Sequence, residues 1–236
     1  RTRDLRTDAG GAEVLAEAVV RLRVDAGTIV EVDGGDAGLG ALAGTSVGRG
    51  FRSLLRDRFG DLEAGGSPLR LLLDDLPGAL LVSPVAALAE AGDVPVDPDG
   101  FATRADICAG WVADGVMLTR IRDTARNPVP ARVPSGTFED PDDPLAWHAD
   151  PAPAPRSTRR RRLLDVHRGD AEVAVECRFR DSHIDVDGVE RSFHEWAVRA
   201  GVGPADRTVQ AIVAEPRVLP WRECPTAAAS ASRLVG

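Results

Sequence analysis

"FRDSHIDVDGVERSFHEW", residues 179–196, decides the fold. Asp187-Gly188 is a strong hairpin signal, because a two-residue type I′ turn needs residues that tolerate positive φ. Such a turn pairs 186 with 189, 185 with 190, 183 with 192 and 181 with 194. One face then carries Asp181, His183, Asp185, Glu190, Ser192 and His194, all polar, and the other Ile184, Val186, Val189 and Phe193, with Ser182 and Arg191 as exceptions. Farther on the apolar set shifts to Trp196, Val198, Ala200 and Val202, out of phase with Phe193. A bulge is therefore expected near His194 and Glu195, and bulges are over-represented beside active sites.

Strand patterns flank the hairpin: "LLDV" and "AEVAVECRF" before it, "TVQAIVAEPRVL" after it. "CPTAAASASRLVG" reads as a short helix with Pro225 at its first position and Gly236 past its end. Near the N-terminus, "AEVLAEAVVRLRV" has period-two apolar spacing, "DAGT" turns the chain and "IVEV" continues as a strand. "VGRGFRSLLRDRF" places Val47, Phe51, Leu54, Leu55 and Phe59 at helical spacing. "LRLLLDDLPGALLVS" reads as two apolar strands around Pro77-Gly78, with Leu71, Leu73 and Leu80 expected inside.

Residues 93–148 are turn-rich, with "DICAGWVADGVML" an ordered element and "DDPLAWH" a docking segment. "ADPAPAPRSTRRRR", 149–162, reads as a linker whose arginines are a solvated end. The expectation is an α+β protein of two related units, each an antiparallel sheet with packed helices: a first repeat over 1–92, an irregular segment over 93–148, the linker over 149–162 and a second, incomplete repeat over 163–236.

A composition 43% hydrophobic and 28% charged is that of a soluble globular protein. A net charge of -8 disfavours a general binder of nucleic acid or of an anionic membrane, since both need surplus positive charge, and leaves small molecules or proteins as partners. The apolar stretch over 79–89 is shorter than the roughly 20 residues of a membrane span. Three cysteines, far apart at 108, 177 and 224, read as reduced thiols of a cytoplasmic protein rather than a disulfide frame. Every basic residue is arginine, a bias of high-GC bacterial genomes. No oligomeric state follows from these features.

In the expected register Asp181 faces His194 at about 4.5–5.5 Å between Cβ atoms, with His183 a diagonal neighbour at about 7–8 Å. Three readings are open. The carboxylate orients the imidazole as a general base; Asp181, His183 and His194 together hold a divalent metal such as zinc; or the face is merely wet, as antiparallel sheets commonly are on one side. Cys224, just before Pro225, is a second candidate: at a helix N-cap the dipole favours a nucleophilic thiolate, although Glu223 beside it opposes this. His148 and His167 stand alone.

"RDLRTDAGGAE" (3–13) and "RDSHIDVDGVE" (180–190) share Arg, Asp, Asp, Gly and Glu without a gap, a weak internal repeat. At "FRDSHIDVDGVE", "HEW", "PRVLPWRECPTAAASASRLVG", "PLRLLLDDLPGALLVS", "DICAGW" and "DDPLAWH" the chain resembles actinobacterial members of the bacterial domain-of-unknown-function family 2889. The resemblance brings no activity. It implies that a Cys-Thr-His-Leu motif lies downstream of "RLVG", so the chain reads as a fragment, and that Gly66-Ser67-Pro68-Leu69 stands in its place in the first copy. Arg6 and Glu17 then take the places of His183 and His194, leaving the first copy as scaffold.

Overall fold

The computed structural model describes residues 1–34, 38–148 and 152–236, so the first residues of the expected linker, Ala149 to Pro151, lie outside the described residues. The chain is α+β, with antiparallel sheets and helices in two compact units: 1–83 with 137–150, and 84–136 with 151–236.

In the first unit β1 (Thr2–Asp8) pairs with β2 (Gly11–Ala18), and β3 (Val20–Asp25) with β4 (Thr28–Gly34). The period-two residues Val20, Leu22, Val24 and Val32 pack with the buried Ile29 against Phe51 and Leu55 of α1 (Phe51–Arg58). After α2 (Gly60–Ala64) the two expected apolar strands are helices instead, α3 (Pro68–Asp74) and α4 (Leu76–Val82). Ser67 takes the N-cap of α3 with Pro68 next, and Leu69 and Leu73, one helical turn apart, enter the core while Leu71 is 53% exposed. The segment "DDPLAWH" docks on β1, where Arg3 Nη1 donates to Leu145 O at 2.7 Å.

The second unit begins with α5 (Pro84–Ala91), which follows α4 so closely that Pro68–Ala91 forms a 24-residue helical run of mean hydropathy 1.6. By length and composition alone that run suffices to cross a membrane, which corrects the shorter span read from 79–89. α6 (Pro98–Ala102) and α7 (Val116–Thr124) enclose a small core of Trp111, Met117, Leu118 and Ile121. "DICAGWVADGVML" thus supplies a 3-10 turn, Ala109–Trp111, and the start of α7.

β5 (Val133–Pro134), β6 (Thr158–Arg168), β7 (Val173–Ile184), β8 (Glu190–Val202) and β9 (Val209–Val218) form one antiparallel sheet in the order β5-β8-β7-β6, with β9 also on β8. Arg159 to Arg162, expected at a linker's end, are therefore strand residues. Register fixes the faces. Leu164, Cys177, Val198 and Ala214 share one cross-strand row, and Val166, Val175, Ala200 and Ile212 the next; the opposite face carries Asp165, Glu176, Arg178, Arg199 and Glu215. A 3-10 helix, Cys224–Leu234, lies beside β9, tied at its far end by Gly236 N–H donating to Val209 O at 3.1 Å.

Candidate functional site

The site sits at the β7–β8 end of the sheet, and its geometry starts with the turn. Gly188 takes φ +80, its N–H bonds Asp185 O at 3.1 Å, and Asp185 N–H bonds Val189 O at 3.1 Å. The loop therefore holds three residues with a glycine in the left-handed region, not the expected two. This slides the register by one: Ile184 pairs with Glu190, His183 with Arg191 and Ser182 with Ser192. Phe193 is then the extra residue of a bulge, after which Asp181 meets His194 as expected. The two departures cancel from that pair onward, so Arg180 meets Glu195 and Phe179 meets Trp196 in the register counted from a two-residue turn. Asp181, His183, Arg191 and His194 occupy one face; Ser182, Glu190 and Ser192 occupy the other.

The wet face does not exist. Asp181 is 2% exposed, His183 1% and Ser192 1%. Asp181 is gripped by a guanidinium fork, Arg160 Nε to Oδ1 at 2.7 Å and Nη2 to Oδ2 at 2.8 Å, from the directly opposite position on β6. Its Oδ2 also lies 3.6 Å from His194 Nδ1. Burial pushes the Asp181 carboxyl up, but the hydrogen bonds and charges of Arg160 and His194 prevail and hold it below the usual carboxylate range. His194 itself is 20% exposed and tilts against the Phe193 ring.

His183 has other partners. Arginine only donates, so Arg132 Nη1, 3.3 Å from Nδ1, makes that nitrogen an acceptor and leaves the proton on Nε2. Nε2 lies 3.2 Å from Glu90 Oε1, at ion-pair distance without hydrogen-bond alignment. Burial lowers the His183 pKa, Glu90 opposes this and Arg132 adds to it, so the ring is held neutral. The expected metal trio is therefore split, and among the described residues no group of three or more His, Cys, Asp or Glu side chains converges to hold a metal ion.

On the other face Glu190 accepts from Ser182 Oγ and from Arg161 Nη2 at 2.7 Å. Burial raises its carboxyl, but Ser182, Arg161 and Arg159 bring it below the ordinary value. Arg180, 6% exposed, donates to Glu195 at 2.6 Å and to Gly136 O at 2.7 Å. Ser192 and Ser135 share a 2.7 Å hydroxyl bond that ties β5 to β8.

Cys224 is not the expected N-cap. Glu223 holds the N-cap position without a side-chain bond to the helix, and its Oε1 accepts instead from Val116 N–H at 2.7 Å, at the start of α7. Burial pushes the Cys224 thiol up to about 11, with Cys108 and Glu223 adding to the effect, so no thiolate forms near neutral pH. A cavity of about 250 Å³ lies between α6 and α7, lined by Pro98, Ala102, Leu118 and Ile121, away from all of these groups.

Sequence reasoning missed Arg160, Glu90 and Arg132. The four arginines had the signal: in a strand, alternate members face opposite sides, and Arg160 and Arg161 each reach a different carboxylate. Comparison with curated proteins and with solved structures finds no match. Residues 157–236, about a third of the chain, match the model of the family described as "Protein of unknown function (DUF2889)", and this stretch, from the residue before β6 to the C-terminal 3-10 helix, is a domain of that family.

Proposed function

We propose that the protein is a cytoplasmic small-molecule enzyme or ligand-processing protein in which His194 accepts a proton and Asp181 orients it. One observation carries the reading: a buried, ionised carboxylate fixed by Arg160 stands 3.6 Å from Nδ1 of a half-buried imidazole. That contact draws the ring proton to Nδ1 and leaves the Nε2 lone pair for a substrate. Three free thiols support the cytoplasmic placement. The first unit is read as a related copy without the reactive pair. Asp4 faces Ala16 where Asp181 faces His194, so in this reading Ala16, and not the expected Glu17, stands for His194, while the Arg3–Glu17 ion pair parallels Arg180–Glu195.

A competing reading is a binding or assembly module in which these charges only hold the sheet together; it is favoured by Arg160 occupying both Asp181 oxygens. Hydrolysis of p-nitrophenyl acetate by the full-length protein separates the two, because an accessible neutral imidazole accelerates it. His194→Gln should lower the rate roughly tenfold or more, and clearly more than His167→Gln, which removes an exposed imidazole of the kind any free histidine supplies. Equal rates for the parent and His194→Gln would leave the non-catalytic module.

A further inference from the structure

The stretches "DICAGW" (106–111) and "WRECP" (221–225) are far apart in the chain, yet they meet in the second unit and each brings one cysteine. Cys108 stands at the N-cap of the 3-10 turn Ala109–Trp111, and its carbonyl accepts from Trp111 N–H at 2.9 Å, which curls the chain back over the turn. That turn packs on the Cys224–Leu234 helix. At its middle residue the approach is closer than a side chain allows: a Cβ on Gly110 would fall 2.6 Å from Cys224 Sγ and 2.7 Å from Trp221 Cδ1. The missing side chain thus seats the Cys224 sulfur on the turn that Cys108 opens, and Cys108 is near enough to add to the upward push on the Cys224 thiol.

The two thiols differ in access. Cys108 is exposed, whereas Cys224 is 6% exposed. An exposed sulfur beside a buried one is the arrangement of a redox couple, in which the first meets the oxidant and the second resolves the product. The neighbourhood also provides for the proton that the buried thiol must release. Glu223, next in the chain to Cys224, engages Val116 N–H through Oε1 and leaves Oε2 buried without a hydrogen-bond partner among the described residues.

We propose that Cys108 and Cys224 form a reversible disulfide on exposure to hydrogen peroxide, pinning the Ala109–Trp111 turn to the C-terminal 3-10 helix. The Cys108 sulfur attacks the peroxide O–O bond and becomes a sulfenic acid, and the hydroxide released takes up the Cys108 proton as water. The Cys224 sulfur then attacks the sulfenyl sulfur: the S–S bond forms, the S–O bond breaks, and the departing hydroxide leaves as water with the Cys224 proton, relayed by Glu223. The thiols are oxidised to one disulfide and the peroxide is reduced to water. A thiol reductant reverses the step by exchange, and in a reducing compartment such a bond is transient and redox-sensing. The couple goes beyond the reading of His194 and stands without it.

The test is peptide mapping of the folded full chain after hydrogen peroxide, alkylation and trypsin, with no reductant. Cleavage after arginine places Cys108 in peptide 105–120, Cys177 in 169–178 and Cys224 in 223–233. Peptides 105–120 and 223–233 should appear joined as the dominant cross-link, and dithiothreitol should free both. Cys108→Ser and Cys224→Ser should each abolish the link, whereas Cys177→Ser should leave it intact. If Cys224→Ser fails to fold, Cys108→Ser, at an exposed position, alone decides. The proposal is overturned by sulfinic or sulfonic acid at Cys108 with Cys224 still alkylated as a free thiol, by a dominant link to 169–178, by a Cys108–Cys108 link between chains, or by a 105–120 to 223–233 link that forms only in urea.

Discussion

Asp181 and His183 are two residues apart on one strand, yet the fold favours opposite charge states at them: a carboxylate kept ionised by Arg160, an imidazole kept neutral by burial. The pH windows follow. Asp181's folded pKa lies below its unfolded value of about 3.9, so its contribution is present above about pH 3.9 and is lost as pH falls through the folded value. His183's folded pKa lies below about 6.5, so its contribution is present above about pH 6.5 and fades as pH drops from there. Urea unfolding across pH should show the parent losing stability below about pH 6.5 more steeply than His183→Gln, and matching profiles would refute the neutral assignment. At neutral pH Asp181→Asn should cost about 3 kcal/mol, because it strands a guanidinium that is 15% exposed. The residue types were legible in the sequence, and so was the 181–194 pairing. The partners were not: Glu90 and Arg132 lie far away along the chain, and only the folded chain delivers them to His183.

At the level of elements, period-two strands were legible because their two faces differ in polarity, as in β3 and β7. The run "LRLLLDDLPGALLVS" was not, because its leucines are too dense to express either period. Its prolines misled as well. Pro77 sits in the first turn of α4 and Pro84 opens α5, positions where the missing N–H costs nothing. Leucine substitutions distinguish the alternatives. A strand would bury Leu71 and Leu73 together on one side, whereas the helix buries Leu73, 1% exposed, beside Leu69 and turns Leu71 outward. Leu73→Ala should cost about 3 kcal/mol and Leu71→Ala no more than about 0.5 kcal/mol, read from denaturant midpoints. Equal losses at the two positions would restore the strand. The hairpin makes a related point: Asp187-Gly188 announced a turn, but whether two or three residues form it depends on the Asp185–Val189 bonds, which no dipeptide signal specifies.

For the whole molecule, the boundary drawn by the family match and the boundary drawn by packing differ, and the difference has consequences. The match begins at residue 157, whereas the unit that contains it also recruits 84–136. That earlier segment supplies Glu90 and Arg132 to His183, the Gly136 carbonyl to Arg180 and the Ser135 hydroxyl to Ser192. All three recipients are buried, at 1%, 6% and 1% exposure, so removing the donors leaves polar groups of the sheet without their partners. Each such loss costs about 1–3 kcal/mol, against a total stability of roughly 5–15 kcal/mol for a domain. The four-strand meander, although it contains Asp181, Arg160 and His194 entire, should therefore be too weak to stand alone. A fragment of residues 152–236 should give poorly dispersed amide NMR spectra and a broad thermal transition, while a fragment of residues 84–236 should unfold cooperatively with a dispersed spectrum. If the shorter fragment proved as stable as the longer one, the contacts from 84–136 would be ornamental, and the reading that they hold the hairpin in the shape that presents His194 would fall with them.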